Sequence, residues 1–232
     1  MAIEGVSVGH QVANYCPPPE LPWLPVYQDD HVLVVDKPAG LLTVPGRGAH
    51  LQDCLIHRVQ RYCPDARIVH RLDMDTSGLV VLGLGADAQR ALSQLFMDRR
   101  VEKAYQALVH GAPDSSEGWI DLPLLVDWDN RPRQKVDLVH GKPSKTHYQV
   151  LSVTEHPAVV SRLQLKPFTG RSHQLRVHCL SIGHPIIGDP LYAKMDETHQ
   201  STPSRLMLHA TQLAFAHPFT QASLCLNSTC PF

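Results

Sequence analysis

Short apolar segments separated by turn signals dominate the pattern of this chain of 232 residues. The segments predict β-strands, and they cover residues 31–36, 79–84, 103–109, 119–125, 145–153, 159–165 and 206–216. In the segment 79–84 the residues that would point to either face of a strand are apolar, which is typical of a strand buried on both faces. Strands therefore outnumber helices in the predicted fold.

Helical periodicity predicts three further elements. Residues 53–62 carry apolar side chains at positions 55, 56 and 59, and residues 86–100 form the clearest amphipathic helix. Residues 171–182, which follow Thr169 and Gly170, have a third helical pattern. Because the strands follow one another as in a meander, we expect an α+β fold: a mixed, largely antiparallel sheet with helices packed on it.

The N-terminal region has a different character. Residues 1–25 are polar and then rich in proline, and they predict an extended lead-in over residues 1–22. The remaining residues, 23–232, are long enough for a single catalytic domain with a sizeable core. Spacing alone leaves open a division into two lobes that share one sheet.

The overall composition is that of an ordinary globular protein, with 43% hydrophobic and 19% charged residues and a net charge of −1. The first residues lack the basic and apolar pattern of a signal peptide, and no window approaches the roughly 18 apolar residues of a membrane span. Six cysteines without a CxxC pair indicate reduced, structural thiols. We therefore expect a cytoplasmic protein without a membrane partner.

The distribution of charge adds to this picture. Residues 131–145 contain five basic side chains against one acid, and residues 161–188 contain four basic side chains and no acid. This concentration indicates a basic face on a nearly neutral molecule, where Arg131, Arg133 and Lys135 are candidates for contact with a polyanion.

The most unusual stretch is residues 68–78, IVHRLDMDTSG, directly before the buried strand. In an extended segment Asp73 lies on the same side as Arg71 and Asp75, while Leu72 and Met74 lie on the other, as at the lip of a cleft. A structural ion pair between Asp73 and Arg71 is the competing interpretation. Asp75 is more typical of a carboxylate that caps the following turn.

Two other segments contain candidate chemistry. In residues 166–178, Arg171, Gln174 and His178 fall at helical spacing near a predicted helix N-terminus, a favourable place for phosphate. His173 and His178 are five residues apart, which does not suit a helical zinc pair, so no metal is expected. Tyr105, early in a strand, is either a core residue or a ring that stacks on a base.

Nucleotide and hydrolase motifs are missing from the sequence: GxGxxG, GxxxxGK[ST] and the GxSxG elbow do not occur. Residues 75–78 resemble an aspartic protease triplet only partly, because a serine stands where that signature requires glycine. We expect no nucleotide cofactor, and chemistry that depends on side chains alone.

Taken together, residues 70–78 (HRLDMDTSG), 103–105 and 169–176 resemble the RluA-type pseudouridine synthases, with the order and spacing of the family over residues 23–217. The resemblance implies the pseudouridine synthase fold and isomerisation of uridine in structured RNA. It also implies that no S4 RNA-binding domain precedes residue 23. Finer features at 28–31, 37–42, 127–132 and 188–189 resemble the member that modifies a tRNA anticodon stem-loop and a 23S rRNA hairpin, and we expect a monomer that acts on both.

The resemblance also implies roles for particular residues. Asp73 matches the aspartate that attacks the uridine, and Arg176 matches the basic residue that pairs with it. Tyr105 matches the aromatic residue that stacks on the flipped base, and Arg71 the arginine that enters the RNA stack. The residues that would line the cleft or the RNA path are His70, Arg171 and His173.

The side-chain chemistry is consistent with this interpretation. Conversion to pseudouridine breaks the C1′–N1 bond and forms C1′–C5 on the same base, so it needs neither a redox agent nor nucleotide energy. An ionised carboxylate that adds covalently has a precedent in the glycosidases. Attack at C1′ and attack at C6 both remain open, as do an RNA-binding module without activity and a glycoside hydrolase. Residues 219–232 depart from the usual end of the relatives, which leaves the last strand open.

Overall fold

The computed structural model describes residues 15–20, 22, 24–156, 158–193 and 205–232. Within these residues there are three α-helices, α1 Leu55–Gln60, α2 Gly85–Met97 and α3 Gln174–Ser181. The strands are β1 Tyr27–Gln28, β2 Val32–Lys37, β3 Ala66–Ile68, β4 Ser77–Leu84, β5 Glu102–His110, β6 Glu117–Asp121, β7 Leu124–Val126, β8 Gln134–Val136, β9 Lys145–Thr154, β10 Val160–Pro167, β11 Leu208–Ala216 and β12 Ser223–Asn227.

Ten of the described strands form one sheet in the order β1-β2-β4-β11-β5-β10-β9-β6, with β3 paired to β4 and β12 paired to β11. The β4–β11 pair is parallel and the other pairs are antiparallel, which confirms the predicted mixed, largely antiparallel sheet. The predicted meander is wrong at the centre, where β2, β4, β11 and β5 lie side by side although they are far apart in sequence. Strands β7 and β8 form a separate hairpin.

The core lies on both faces of the sheet. Leu33 and Val35 of β2 pack with α1, while Val32 and Val34 pack with α2, as the alternation of a strand requires. Helix α3 packs on β5 and β10 in a third cluster. Tyr105 contacts both the α1 cluster and the α3 cluster. Helices α1 and α3 therefore share one face of the sheet and meet at this tyrosine.

For two of the predicted elements, a single residue explains why the bounds differ in the structure. The strand predicted over residues 119–125 is divided into β6 and β7, because Pro123 has no N–H to donate to a strand ladder. The helix predicted over residues 171–182 begins at Gln174, since the preceding residue, His173, has a left-handed backbone with φ 53°. Strands β1, β3, β8 and β12 were not predicted; β12 shows that the unusual C-terminal segment completes the sheet beside β11.

Much of the predicted lead-in, residues 1–14, 21 and 23, lies outside the described residues. Residues 15–20 have no helix or strand, but they are held against α1: the Tyr15 hydroxyl donates to the Asp53 carbonyl over 2.8 Å. Arg58 of α1 donates to the Pro18 carbonyl over 2.8 Å. No helix in the described part of the chain is long and apolar enough to cross a bilayer.

The parallel pair at the centre explains one glycine of the 70–78 motif. Gly78 has φ 113°, and a Cβ at this position would lie 2.3 Å from the Ala210 carbonyl oxygen of β11. Only glycine therefore permits β4 to start this close to β11. Because β11 also pairs with β5, the loop before β4 is brought to the same region as Tyr105.

Candidate active site

A cleft opens where the loop before β4 faces β5 and the start of α3. Its walls come mainly from three places: the loop residues 71–73 and 76, strand β5 with Lys103 and Tyr105, and the segment 167–176. Leu208 of β11 also lines it. The cleft thus collects the three blocks that were singled out in the sequence, although they are separated by about 30 and 60 residues along the chain. The α1 and α3 clusters support it from below.

Two buried side chains hold the loop in place. The ammonium group of Lys37, at the end of β2, donates to the carbonyls of Leu41 (2.7 Å) and Met74 (2.9 Å). The Thr43 hydroxyl donates to the Leu72 carbonyl over 2.7 Å and accepts the Leu72 N–H over 3.3 Å. Burial lowers the pKa of Lys37 to about 7, although the nearby carboxylates act in the opposite direction. The backbone on both sides of Asp73 is therefore fixed from beneath.

Asp73 lies inside the cleft, and its side chain is 24% exposed. One carboxylate oxygen, Oδ2, is 3.4 Å from Nη1 of Arg176 and 4.0 Å from Nε2 of His173. The structure thus pairs Asp73 with Arg176, and the alternative pair with Arg71 is not formed. Among the described residues, Asp73 is the one carboxylate that lines the cleft.

Asp75 does not share this position. The chain turns at Met74 and Asp75, where Thr76 N donates to the Asp73 carbonyl over 3.2 Å, so the expected alternation ends at residue 73. The predicted cap is wrong: within the described residues the Asp75 side chain makes no hydrogen bond to the turn at 76–78. Burial raises the pKa of Asp75, against the opposing effects of Arg176 and Lys37.

Arg176 is anchored by a carboxylate that the motifs did not identify as functional. Its Nε and Nη2 donate to Oδ2 and Oδ1 of Asp189, both over 2.7 Å, and both side chains are buried. Oδ1 of Asp189 also accepts the N–H groups of Leu191 (2.9 Å) and Tyr192 (3.1 Å). Burial alone would lower the pKa of Arg176, but the hydrogen bonds and charge of Asp189, with Asp73, raise it overall. The guanidinium stays charged and keeps one orientation.

The residue before Asp189 explains how this carboxylate reaches Arg176. Gly188 has φ 71°, and a Cβ there would lie 2.0 Å from the Arg205 carbonyl oxygen. Glycine is therefore required at this turn. The pair Gly188-Asp189 was visible in the sequence as a likeness to the family, but nothing in its spacing indicated the contact with Arg176.

Tyr105 forms part of the floor of the cleft, half-buried between the two core clusters. Burial raises the pKa of its phenol, and the negative charge of Asp73 acts in the same direction. The phenol is therefore neutral at physiological pH. A neutral aromatic ring beside a carboxylate, with an open side facing the cleft, can stack on a planar base.

The start of α3 is shaped by Gln174. Its side-chain amide donates to the Lys145 carbonyl (3.0 Å) and to the Thr146 hydroxyl (2.9 Å), and its oxygen accepts from the Thr169 hydroxyl (2.7 Å) and Arg171 N–H (3.0 Å). This network ties the loop to β9. Gln174 was predicted only as part of a helical face. In the structure its side chain holds residues 169–171 against β9 through four hydrogen bonds.

The predicted basic residues occupy different parts of the rim. Arg71 and Arg171 are exposed beside the cleft. On the β7–β8 hairpin, Arg131 lies over the ring of Trp128 at 4.8 Å and Arg133 over the ring of Tyr192 at 5.3 Å, while Lys135 is exposed. Through Arg133 and Tyr192 the hairpin adjoins Arg176 and His173 of the cleft.

His70 is located elsewhere, contrary to its expected place along the RNA path. Its Nε2 accepts the Val81 N–H over 3.0 Å, and its ring stacks on Phe96 at 4.5 Å. Burial lowers the pKa of His70 to about 3, with a smaller effect from Lys103. The imidazole is therefore neutral and structural, because the loop turns it toward α2 and away from the cleft.

The arrangement defines a class of protein. A carboxylate paired with a buried guanidinium, an aromatic ring beside it and a rim of exposed arginines suit covalent chemistry on a base that has left a nucleic-acid stack. The model of the RNA pseudouridylate synthase family matches residues 31–181, and this chain belongs to that family. It is accordingly an enzyme that isomerises uridine to pseudouridine in RNA, which sets aside the inert binding module and the glycoside hydrolase.

Similar proteins are known in bacteria and in humans. The chain is 49% identical to the dual-specificity RNA pseudouridine synthase RluA of Escherichia coli K12 over 220 residues, 94% of this chain and 98% of the relative. It is 46% identical to the protein of the same name from Vibrio cholerae over 93% of this chain and 86% of the relative. Among solved structures, human RNA pseudouridylate synthase domain containing 1 has a TM-score of 0.74 and 32% identity, over 90% of this chain and 83% of that one.

Proposed function

We propose that Asp73 is the residue that adds covalently to the target uridine, and that Arg176 and Tyr105 assist it. The observation that carries the proposal is the position of the Asp73 carboxylate: inside the cleft, partly exposed, and 3.4 Å from a guanidinium. That guanidinium is held by Asp189, so its attraction for a negative charge at residue 73 needs no rearrangement.

In the proposed reaction the base must first leave its stack, at a cost of a few kcal/mol. The ring of Tyr105 beside Asp73 offers a stacking surface that contributes roughly 1–3 kcal/mol per base. Arg71, exposed at the rim of the cleft, is suited to fill the space that the base leaves. An Asp73 oxygen forms a bond to the uridine, at C1′ or at C6, and that bond breaks again when the carboxylate is released. Overall the C1′–N1 bond breaks, C1′–C5 forms, the proton leaves C5 and N1 gains one.

The RNA would be held by the cations around the cleft. We assign this role to Arg71, Arg171 and the hairpin residues Arg131, Arg133 and Lys135, with His173 at the cleft wall. Arg71 and Arg171 are exposed in the cleft lining, and Arg133 packs on Tyr192, which contacts His173 of that lining; both observations support the assignment. His70 is not assigned this role, because its ring is packed against Phe96.

For the substrates, we propose a tRNA anticodon stem-loop and a 23S rRNA hairpin. The support is the identity of 49% over nearly the full length of a relative named as a dual-specificity RNA pseudouridine synthase. We further propose that residues 23–232 act as one catalytic domain, as a monomer in the cytoplasm.

The catalytic assignment is tested by Asp73→Asn, which preserves shape and removes the negative charge. Release of tritium from 5-tritiated uridine in an RNA hairpin should fall by at least about 10³-fold, the scale seen when a nucleophile is removed, while binding of the hairpin persists. Asp114→Asn, on an exposed loop between β5 and β6, is the matched control and should keep wild-type turnover. Turnover by Asp73→Asn close to that of the control would refute the assignment.

The substrates are tested separately by mapping pseudouridines in total RNA from cells with and without the gene. Loss at one site in a tRNA anticodon stem-loop and one in a 23S rRNA hairpin is expected. Loss at ribosomal sites alone would contradict dual specificity but leave the role of Asp73 intact.

A further inference from the structure

Tyr192 connects parts of the site that are otherwise separate. It is buried, with 4% of its surface exposed, three residues after Asp189. Its ring lies 5.1 Å from the guanidinium carbon of Arg176 and 5.3 Å from that of Arg133 on the β7–β8 hairpin. It also meets the imidazole of His173 edge-on, with 5.6 Å between ring centroids. One side chain therefore contacts both groups that approach Asp73 and the hairpin at the rim.

The hydroxyl of Tyr192 has two partners that together assign its proton. It accepts the backbone N–H of Gln134, in β8, over 2.7 Å, and it lies 2.7 Å from Nδ1 of His173. Because the Gln134 N–H can only donate, the hydroxyl oxygen is the acceptor in that bond. A phenol oxygen can accept two hydrogen bonds, so this bond alone does not place the hydroxyl proton. Among the described residues Nδ1 of His173 is the acceptor that this buried hydroxyl has, so its proton is directed to Nδ1 and a neutral His173 carries its own proton on Nε2.

The other nitrogen of His173 faces the reacting group. Nε2 is 4.0 Å from Oδ2 of Asp73, which is too long for a hydrogen bond in this state. The Nε2–H group is therefore directed into the cleft without being fully engaged by Asp73. A uracil base that enters the cleft brings two carbonyl oxygens, which are acceptors for such a donor.

The backbone of His173 indicates that this orientation is imposed by the surroundings. Its φ of 53° lies in the left-handed region, which is uncommon for a residue with a Cβ and is found often at functional sites. The bond to Tyr192 and the start of α3 hold the imidazole there.

We propose that Tyr192 is a positioning residue that fixes His173 as the Nε2–H tautomer and links the hairpin to the environment of Asp73. The proposal rests on the proposed role of Asp73 for its effect on catalysis. RNA that contacts Arg133 would act on the same ring that packs on Arg176, so a single side chain joins the hairpin to the two residues beside Asp73, Arg176 and His173. The charged groups around His173 are Asp73, Arg176, Asp189 and Arg71.

The tautomer is measured directly by long-range ¹H–¹⁵N correlation spectra of the full chain with ¹⁵N-labelled histidine. The signals of His173 are identified by their loss in His173→Gln. Wild-type protein should show the Nε2–H form, and Tyr192→Phe, which keeps the ring but removes the hydroxyl, should show a mixture of both forms. A wild-type spectrum with the proton on Nδ1 would overturn the proposal, and this result needs no variant of Tyr192 to fold.

Kinetics on an RNA hairpin test the consequence. We expect Tyr192→Phe to lower kcat about tenfold, the scale of one hydrogen bond, with KM changed less than twofold. In a His173→Gln background, where the amide takes the place of Nε2, the added loss from Tyr192→Phe should be less than twofold. Tyr62→Phe, a half-exposed tyrosine outside the cleft, serves as the matched control and should keep wild-type kcat.

Equal losses from Tyr192→Phe in both backgrounds would contradict action through His173 and indicate a general structural effect. Failure of Asp73 as the reacting group would appear instead in the Asp73→Asn assay. The tautomer in the spectra is independent of that assay, so the two proposals fail separately.

Discussion

Arg176 has a carboxylate on each side, and the two sides differ in how completely the carboxylate is used. On the closed side, the Asp189 side chain has no exposed surface and accepts four hydrogen bonds, two from Arg176 and two from backbone N–H groups. On the open side, Asp73 is 24% exposed and receives one long contact of 3.4 Å from the same guanidinium.

The difference between the two carboxylates shows how the Arg176 guanidinium can be fixed by Asp189 and still attract the charge of Asp73. A buried carboxylate that accepts four hydrogen bonds is an anchor, because any reaction would first break strong charge-assisted bonds. A carboxylate that is attracted by the charge but left short of hydrogen bonds keeps oxygen lone pairs for a substrate. The closed side fixes the orientation of Arg176, and the open side leaves Asp73 free in the way that its proposed role requires.

The largest expected effect comes from breaking the closed side with Asp189→Asn. Removing one partner of a buried ion pair leaves an uncompensated charge and destabilises a protein by about 3–5 kcal/mol. Asp73→Asn removes a partly exposed partner and should cost about 1 kcal/mol or less. Urea unfolding of both variants beside wild type measures the free energies of unfolding.

Activity should follow a different order from stability in these variants. Asp73→Asn should be nearly as stable as wild type but inactive, and Asp189→Asn should lose both properties. Equal stability losses in the two variants would show that the sides of Arg176 do not differ as described.

A smaller effect tests whether the open side receives a base. Tyr105→Leu removes the aromatic surface beside Asp73 and should reduce kcat/KM by the equivalent of about 1–3 kcal/mol, the value of base–aromatic stacking. Tyr105→Phe keeps the ring and should keep most of the activity. Measurement of both variants with one RNA hairpin decides the matter, and a Phe variant as impaired as the Leu variant would argue against stacking.

The smallest effect concerns His70, whose ring is packed against Phe96 away from the cleft. Its pKa is lowered to about 3 by burial, from 6.5. Below pH 6.5 the unfolded chain binds a proton at this residue and the folded chain does not, so stability is full above pH 6.5 and falls toward pH 3. Between pH 7.5 and pH 5.5 this amounts to about 1.4 kcal/mol.

His70→Gln can still accept the Val81 N–H but has no proton to gain. Urea unfolding at the two pH values should show a smaller loss in this variant than in wild type, by that amount. His178 and His209, whose pKa values burial also lowers, remain in both proteins and cancel in the comparison. An identical pH dependence in the variant and wild type would contradict a neutral His70.

Local pattern predicted much of this fold. The alternation and length of the apolar segments placed β2, β4, β5 and β9–β11, because burial on a sheet requires those side chains whatever the neighbouring strand is. The division at Pro123 was missed, although proline is a known limit on a strand ladder. Short strands such as β3 and β8 carry too few residues for a period to be recognised.

The sequence by itself, through its resemblance to the family, predicted the three blocks of the cleft and, among their residues, Asp73, Tyr105 and Arg176 as the candidates for the site. Tertiary structure alone decided that β4 lies parallel to β11, that Asp189 and Tyr192 organise the surroundings of Asp73, and that His70 faces the core. The physical reason is that a hydrogen bond or ion pair between distant residues depends on strand register and on which face a side chain occupies. A one-residue change in register reverses that face, and no local pattern records the partner across the sheet.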